Sequence, residues 1–159
     1  MEKSVLDGRR ILAVDDEPDV LEVLENEIKE SCPTCQFDKA TSYEQASEKI
    51  RSNSYDVVIL DIMGVKGFDL LEQATARKFR TAMLTAHALN PEALQRSHDL
   101  GARAYLPKDK LGEIIPFLED VLKYDMKSGW KRLFDKLEDY FNGQFEPDWK
   151  KQIGAKNWY

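Results

Sequence analysis

Short apolar runs alternate with stretches of helical periodicity along most of this chain. Residues 11–14 and 57–60 are continuously apolar, and residues 82–84 and 102–106 have the pattern of two further strands. Runs of this length are typical of strands that are buried on both faces of a parallel sheet. Residues 35–40 show a weaker pattern, which indicates an edge strand.

A helix is predicted after each of these five strands. Apolar residues recur at helical spacing in four of the connections: Val20, Leu21, Leu24 and Ile28; Tyr43, Ala46 and Ile50; Phe68, Leu71 and Ala74; and Ile114, Leu118, Val121 and Leu122. Asn90-Pro91-Glu92 predicts the start of the remaining helix, with a capping side chain followed by Pro in the first turn. Pro116 fits the last helix only within its first turn. Five successive βα units predict an α/β fold, a doubly wound parallel sheet with helices on both faces.

The pattern changes after residue 125. Large apolar residues recur there at helical spacing, at Trp130, Leu133, Phe134, Leu137 and Phe141. They predict a C-terminal amphipathic helix over residues 128–142, with Ser128 as its cap and Gly143 at its end. We therefore expect a domain over residues 8–124 and a helical, aromatic-rich extension over residues 125–159.

The apolar stripe of this extension is expected to be docked, because an isolated helix of its length is marginal in water. Its partner could be the same chain, a second copy in a homodimer, or a target protein. Residues 126–159 hold seven Lys and Arg and five Asp and Glu, a net charge of +2, in a chain of net charge −6. The rest of the chain is therefore strongly acidic, which favours contact between the basic extension and the acidic domain.

The net negative charge of the chain disfavours nucleic acid as a partner, because phosphate backbones select basic surfaces. No run approaches the roughly 20 apolar residues that a membrane span needs. The N-terminus leads into no apolar segment of the kind found in signal peptides. We therefore expect this chain of 159 residues to be cytoplasmic and not to bind membranes.

Cys32-Pro33-Thr34-Cys35 has the spacing of redox pairs and of half a zinc site. The run lies between a predicted helix and the weak strand, and no second pair of cysteines accompanies it. Two ordinary thiols at a helix end are the favoured interpretation, and the redox and metal interpretations stay open.

Polar residues end four of the predicted strands: Asp15 and Asp16 the first, Asp61 the third, Thr85 the fourth and Lys108 the fifth. The carboxyl ends of parallel strands meet at one edge of the sheet, where ligands of such folds bind. Clustered carboxylates repel one another, and a hard cation such as Mg²⁺ relieves that repulsion. A hydroxyl and an ammonium group beside a nucleophilic carboxylate suit phosphoryl transfer, which needs mainly positioning and charge stabilisation.

Four segments together resemble the signature blocks of the response-regulator receiver family: Val14-Asp15-Asp16-Glu17-Pro18, Val58-Ile59-Leu60-Asp61, Leu84-Thr85-Ala86 and Tyr105-Leu106-Pro107-Lys108. The resemblance covers residues 8 to 124 and implies a flavodoxin-like fold with five strands. It also implies a two-component signalling switch. Asp61 would accept a phosphoryl group from a histidine kinase or a phosphotransfer protein.

The resemblance assigns further roles by position. Asp16, Asp61 and the carbonyl of Met63 would hold Mg²⁺, with Asp15 acting mostly through water. Lys108 would bind the phosphoryl group, and Thr85 and Tyr105 would form the switch pair. The fourth helix, fifth strand and fifth helix would carry the output, to a protein that the sequence does not identify.

Residues two positions past the phosphoacceptor and two past the Thr tune phosphoryl lifetime in this family, which points to Met63 and His87. The second histidine, His98, is expected to face solvent on the fourth helix. Two features depart from the family pattern: the loop from Asp61 to Gly67 is shorter than usual, and Asp109 rather than Pro follows the lysine. Both departures concern loops beside the predicted site.

Three functions other than that of a phosphorylated receiver are alternatives for this chain. An aspartyl-phosphate phosphatase would have an acid two residues past Asp61, where this chain has Met63. A flavin or nucleotide binder would have small residues after the first strand, where Asp15 and Asp16 would repel a phosphate. A receiver-like interaction module that is never phosphorylated is the third alternative.

Overall fold

The computed structural model describes residues 4–86 and 90–159 of the chain. These residues form five β-strands: β1 Arg10–Val14, β2 Gln36–Ala40, β3 Val57–Asp61, β4 Arg80–Thr85 and β5 Ala104–Pro107. They also form seven α-helices: α1 Pro18–Ser31, α2 Tyr43–Ser52, α3 Gly67–Ala76, α4 Pro91–Asp99, α5 Ile114–Lys123, α6 Met126–Gln144 and α7 Trp149–Ile153. Two 3-10 helices cover Lys108–Glu113 and Ala155–Asn157.

The five strands form one parallel sheet in the order β2-β1-β3-β4-β5. All five residues of β3 are buried, as its continuous apolar sequence predicts. Strand β2 lies at an edge, which agrees with its weaker pattern. Helices α1 and α5 contact each other, as do α2 and α3, so that helices cover the sheet on both faces. The predicted doubly wound, flavodoxin-like fold is confirmed.

Local signals in the sequence set several helix boundaries. The Asn90 side chain accepts a hydrogen bond of 2.7 Å from the amide of Ala93, as expected for a cap before Pro91. Pro116 is the third residue of α5 and therefore lies in its first turn, where no intrahelical bond is lost. Residues 102 and 103 precede β5, which begins at Ala104.

Helix α6 is longer at both ends than the sequence predicted. Its cap is Asp125 rather than Ser128, and the Asp125 carboxylate accepts a hydrogen bond of 2.8 Å from the Ser128 amide. The helix continues through Gly143 to Gln144, and the amide of Phe145 still donates to the carbonyl of Phe141. Packing of this last turn outweighs the modest cost of one glycine in a helix.

The apolar stripe of α6 is buried on the same chain. All five predicted stripe residues are buried, and α6 packs against α5 and β5 while α7 packs against α4. The indole of Trp130 donates a buried hydrogen bond of 3.0 Å to the carbonyl of Ala102. The rings of Trp158 and His98 stack with centroids 3.9 Å apart. The extension therefore continues the domain's core through α7, which the sequence pattern did not predict.

The expectation that His98 faces solvent was wrong. Its side chain is only 20% exposed, because Trp130 and Trp158 pack against the imidazole ring. Its exposure depended on whether another part of the chain covers α4, and the helical pattern of α4 carries no information on that. Within the described ranges, no helix is both long enough and apolar enough to cross a membrane.

Candidate functional site

The polar residues predicted from the strand ends meet at one edge of the sheet. Asp15 directly follows β1, Asp61 ends β3, Thr85 ends β4 and Lys108 follows β5. The register pairs Asp61 with Leu84, and Thr85 with Pro107, so the ends of β3, β4 and β5 are level. Parallel pairing thus brings together residues that are far apart in sequence.

Lys108 lies between the buried carboxylates. Its Nζ atom is 2.8 Å from Asp15 Oδ2 and 3.3 Å from Asp61 Oδ1. The Asp15 and Asp61 side chains are almost fully buried, and that of Lys108 is 12% exposed. Glu17 approaches the same ammonium group at 3.3 Å from the solvent side. One buried cation therefore offsets part of the charge of two buried anions.

Sequence reasoning did not assign a role to Glu17. Its contact with Lys108 joins the loop after β1 to the residue after β5. The sequence signal for this contact is an acid two residues past Asp15, within the segment Val14-Asp15-Asp16-Glu17-Pro18. The Glu17 amide also donates a hydrogen bond of 2.9 Å to Asp15 Oδ1, which fixes the orientation of that carboxylate.

The ionisation of these groups reflects their burial. Burial raises the pKa of Asp61 to about 6, and the nearby Asp15 charge adds to the effect, while Lys108 opposes it. Burial likewise raises the pKa of Asp15, which Lys108 partly offsets. Burial alone would lower the pKa of Lys108, but its interactions with Asp15 and Asp61 prevail and raise it. The site therefore disfavours two bare carboxylates and favours added positive charge.

Asp15, Asp16 and Asp61 form a group whose nearest carboxylate oxygens all lie within 4.8 Å of one another. Asp15 and Asp61 are buried and Asp16 is exposed, so that the group opens to solvent on one side. Asp15 Oδ2 is buried, and Lys108 Nζ, 2.8 Å away, is the positive group beside it. Hard oxygen donors with an open side suit Mg²⁺, which usually retains several waters. The residues present therefore fit the predicted metal.

The shortened loop after Asp61 is pressed against this acidic group. Gly64 has a φ of +83°, and a Cβ atom there would overlap the Asp16 carboxylate. A Cβ atom on Gly67 would overlap the carbonyl oxygen of Asp61. Between them Lys66 adopts the left-handed conformation, with φ 54°. Two glycines thus permit the loop to pass close to the acidic group, and the Met63 side chain projects outward, 65% exposed.

The proposed switch pair is buried beside the site. Thr85 is 1% exposed, and its hydroxyl group is buried beside that of Tyr105. Tyr105 is fully buried. Burial raises the pKa of the Tyr105 hydroxyl above its usual range, and the interaction with Thr85 partly offsets that effect. The aromatic ring of Tyr105 therefore lies inside the fold, near Thr85.

The remaining predicted residues have different outcomes. His87 lies outside the described residues, and its assigned effect on phosphoryl lifetime stays a prediction. The assignments of the Met63 carbonyl to the metal and of Met63 to phosphoryl lifetime also stay predictions. Met63 does lie beside the acidic group, since it directly precedes Gly64.

Cys32 and Cys35 are both buried, at the end of α1, with their sulfur atoms 2.6 Å apart. Among the described residues, the acidic group is the only set of three or more His, Cys, Asp and Glu side chains placed to share a metal. The zinc interpretation of the cysteine pair is thus not supported, while its redox interpretation remains open.

Residues 11–118 match the family model described as the response regulator receiver domain. None of the curated proteins compared with the chain is a significant sequence match. The family match includes every described residue of the site and ends before α6, so that residues 119–159 lie outside it.

Solved structures give the same result. The response regulator TrrA from Thermotoga maritima, solved in complex with Mg²⁺-BeF, is 32% identical, with a TM-score of 0.62 over 72% of this chain and 99% of that one. A putative response regulator from Chloroflexus aurantiacus is 25% identical, with a TM-score of 0.63 over 73% and 98% of the two chains. A CheY-like receiver domain protein from Methanospirillum hungatei, 21% identical, shares the fold with a TM-score of 0.56 over 82% and 94%.

Proposed function

The chain belongs to the response regulator receiver domain family, and from that premise we propose that it is a signalling switch controlled by phosphorylation of Asp61. The observation that carries the proposal is the position of Asp61. Its carboxylate ends the central buried strand, lies 3.3 Å from the Lys108 ammonium group and belongs to an acidic group suited to Mg²⁺.

The carboxylate of Asp61 is the nucleophile in this proposal. Its pKa of about 6 leaves it mainly ionised at neutral pH, so that it needs no separate base. An Asp61 oxygen attacks the phosphorus of the donor, and the bond between phosphorus and the donor's leaving group breaks. The bonding electrons depart with the leaving group, and an aspartyl phosphate forms.

Asp15, Asp16, Asp61 and the Met63 carbonyl would hold Mg²⁺, which supplies positive charge to the phosphoryl oxygens when bound. Lys108, in contact with both Asp15 and Asp61, supplies a second positive charge. The relative from Thermotoga maritima was solved with Mg²⁺-BeF, which supports a similar metal requirement here.

Lys108 and Thr85 are placed to respond to the new phosphoryl group. The ammonium group can exchange its contact with Asp61 for a charge-assisted hydrogen bond to a phosphoryl oxygen. The buried Thr85 hydroxyl can donate to another phosphoryl oxygen, in place of its interaction with Tyr105. Tyr105, beside Thr85, would then report the change to the helices packed around β5.

The donor in this proposal is a histidine kinase or a phosphotransfer protein, and the output is contact with another protein. The family match supports the class of donor. The net charge of −6 supports output by protein contact rather than by nucleic-acid binding.

The test is incubation of the purified chain with acetyl phosphate and Mg²⁺, followed by intact mass measurement. We expect the mass of one added phosphoryl group in the wild type and none in Asp61→Asn. Asp69→Asn, an exposed acid in the first turn of α3, is the matched control and should be labelled like the wild type. Labelling of Asp61→Asn at the wild-type level would refute Asp61 as the acceptor.

A phosphatase is the less favoured alternative. The residue two past Asp61 is Met63, whose thioether cannot transfer a proton. An interaction module that is never phosphorylated would give no added mass in the same experiment, even with excess acetyl phosphate. That outcome would favour the module over the switch.

A further inference from the structure

The C-terminal extension of residues 125–159 covers, through α6 and α7, the surface formed by α4, β5 and α5. Opposite charges accompany its apolar contacts. Asp120 of α5 lies 3.2 Å from the Arg132 guanidinium and 2.7 Å from the Lys136 ammonium group. The basic extension thus meets the acidic domain, and this surface already has an occupant within the chain.

Two adjacent residues of α6 reach the elements that carry the phosphorylation site. The ring of Phe141 packs against that of Tyr105, with centroids 6.1 Å apart. The Tyr140 hydroxyl donates a hydrogen bond of 3.1 Å to Asp109, the residue after Lys108. Both Phe141 and Tyr105 are fully buried. Helix α6 therefore contacts one member of the switch pair and the segment that holds the phosphoryl-binding lysine.

These contacts make the site and the extension energetically dependent on each other. Any shift of Thr85 toward a phosphoryl group changes the space beside Tyr105, and a shift of Lys108 moves the backbone that leads to Asp109. Close-packed side chains have few alternative arrangements, so that such shifts pass to the next packed layer. That layer is Phe141 and its aromatic neighbours, Phe134, Phe145 and Trp149.

We infer that Phe141 is a positioning residue, which links the docking of the extension to the state of Asp61 through Tyr105. The inference rests on the proposed function. The first element to respond to phosphorylation is then the chain's own C-terminal extension, before any partner protein. Thermodynamic linkage is reciprocal: if phosphorylation of Asp61 changes the docking of the extension, then docking changes the stability of the phosphorylated state by the same free energy.

The tryptophans of this chain make the inference testable. All three, Trp130, Trp149 and Trp158, lie in the extension, and two of them contact the domain at Ala102 or His98. Tryptophan emission therefore reports on the extension and on its contacts with the domain. We expect addition of beryllofluoride to the Mg²⁺-loaded full chain to change that emission. The same addition to Asp61→Asn should cause no change.

Phe141→Leu is the critical variant, and Phe145→Leu is its control. Phe145 stacks on Phe141 and also contacts Trp149, but no ring contact joins it to Tyr105 among the described residues. Both variants should still incorporate phosphoryl from acetyl phosphate by mass. We expect Phe145→Leu to retain the emission response and Phe141→Leu to lose most of it.

Two results would overturn the inference. One is equal emission responses in the two leucine variants. The other is a wild-type chain that gains phosphoryl mass without any emission change, which would leave the proposed function standing. A wild type that gains no phosphoryl mass would instead refute the proposed function, and this inference with it.

A second inference concerns Cys32 and Cys35 and is independent of phosphorylation. The Cys35 amide donates to the Cys32 carbonyl at 3.2 Å, which closes a four-residue turn. Such turns hold their end Cα atoms within about 7 Å, and disulfides need Cα atoms about 4.4–6.8 Å apart. The sulfur atoms lie 2.6 Å apart, and both approach the carbonyl of Leu6.

We propose that Cys32 and Cys35 are a modification site, a dithiol that closes to an internal disulfide. A low-molecular-weight disulfide is the oxidant: one protein thiolate attacks it, and the second thiolate then displaces the bound thiol. Two electrons and two protons leave the cysteines, and the oxidant becomes two thiols. Burial raises the pKa of Cys35 to about 12, so reaction requires local opening near Leu6.

The test is to equilibrate the full chain with glutathione disulfide, then quench with acid, denature and alkylate with N-ethylmaleimide. We expect intact mass to show no alkylation after oxidation and two additions after reduction with a dithiol. Cys35→Ser should instead carry one glutathione or one alkyl group. The same measurement is repeated on wild type that was unfolded and refolded in the oxidant. The proposal would be overturned if, in both samples, the oxidised wild type carried two alkyl groups or two bound glutathione molecules.

Discussion

The ammonium group of Lys108 lies 3.3 Å from the Asp61 carboxylate, at the centre of a site where negative charge prevails. Removing it leaves buried carboxylates without their cation. Breaking a buried ion pair in this way lowers the free energy of unfolding by on the order of 3 kcal/mol. We expect Lys108→Ala to lower the thermal midpoint strongly in a chelator and much less with Mg²⁺. The metal should still bind.

Lys110→Ala is the control for that comparison, because the described contacts of the Lys110 ammonium group are a partly exposed pair with Glu113 and the ring of Tyr140, neither of them in the acidic group. Its midpoint should stay near that of the wild type under both conditions. If Lys108→Ala lowered the thermal midpoint equally with and without Mg²⁺, the Lys108 ammonium group would not be offsetting the negative charge of the metal site.

Asp61 should make the chain less stable as the pH rises. Its pKa is about 6 in the folded chain, above the ordinary value of 3.8, so the folded state retains its proton longer than the unfolded state. The free energy of unfolding then falls as the pH rises from about 4 to about 6, by on the order of 2–3 kcal/mol. We expect Asp61→Asn to match the wild type near pH 4 and to exceed its stability at pH 7, measured in a chelator. A variant less stable than the wild type at pH 7 would contradict the pKa direction.

Gly64→Ala should affect both stability and metal binding. The positive φ of Gly64 costs a non-glycine residue on the order of 1–3 kcal/mol, and the new Cβ must also displace the Asp16 carboxylate. Gly8→Ala is the matched control, because Gly8 has φ +74° but nothing within 4 Å of the added Cβ. We expect calorimetry to show weaker Mg²⁺ binding in Gly64→Ala alone. Equal Mg²⁺ affinities in the two variants would count against contact between the loop and the metal site.

Asp16 should matter for the metal more than for the fold. It is exposed, whereas the other two acids of the group are buried. We expect Asp16→Asn to weaken Mg²⁺ binding by roughly tenfold or more, since even the loss of a group that only supports a metal ligand has an effect of that size. The thermal midpoint should change little. Asp19→Asn, an exposed acid in the first turn of α1, is the control. Undiminished Mg²⁺ affinity in Asp16→Asn would remove Asp16 from the site.

The Trp130 indole should anchor the extension. Trp130→Phe leaves the buried carbonyl of Ala102 without this donor, which costs on the order of 1–3 kcal/mol. Trp158→Phe is the control, since a phenyl ring can still stack on His98. We expect denaturant unfolding to show the larger loss for Trp130→Phe. Equal losses would indicate that packing alone, rather than the hydrogen bond, holds the extension in place.

The sequence by itself determined the sheet and most of the site. A strand buried on both faces must be apolar throughout, so β3 was recognisable from residues 57–60 alone. Parallel strands end at one edge, so that Asp15, Asp61, Thr85 and Lys108 could be placed together without any contact being known. These features follow from short-range periodicity and from one general rule of parallel sheets.

Only the tertiary structure decided where the extension docks and what it covers. A helical stripe specifies which face of α6 is buried, but it does not identify the surface that buries it. For the same reason the prediction that His98 faces solvent was wrong, since its exposure depends on Trp158, far along the chain. The contacts of Lys108 with Glu17, and of Phe141 with Tyr105, likewise join segments that no local pattern relates. Contacts between distant segments depend on how complete elements pack, and side-chain periodicity within one element carries no record of its neighbours.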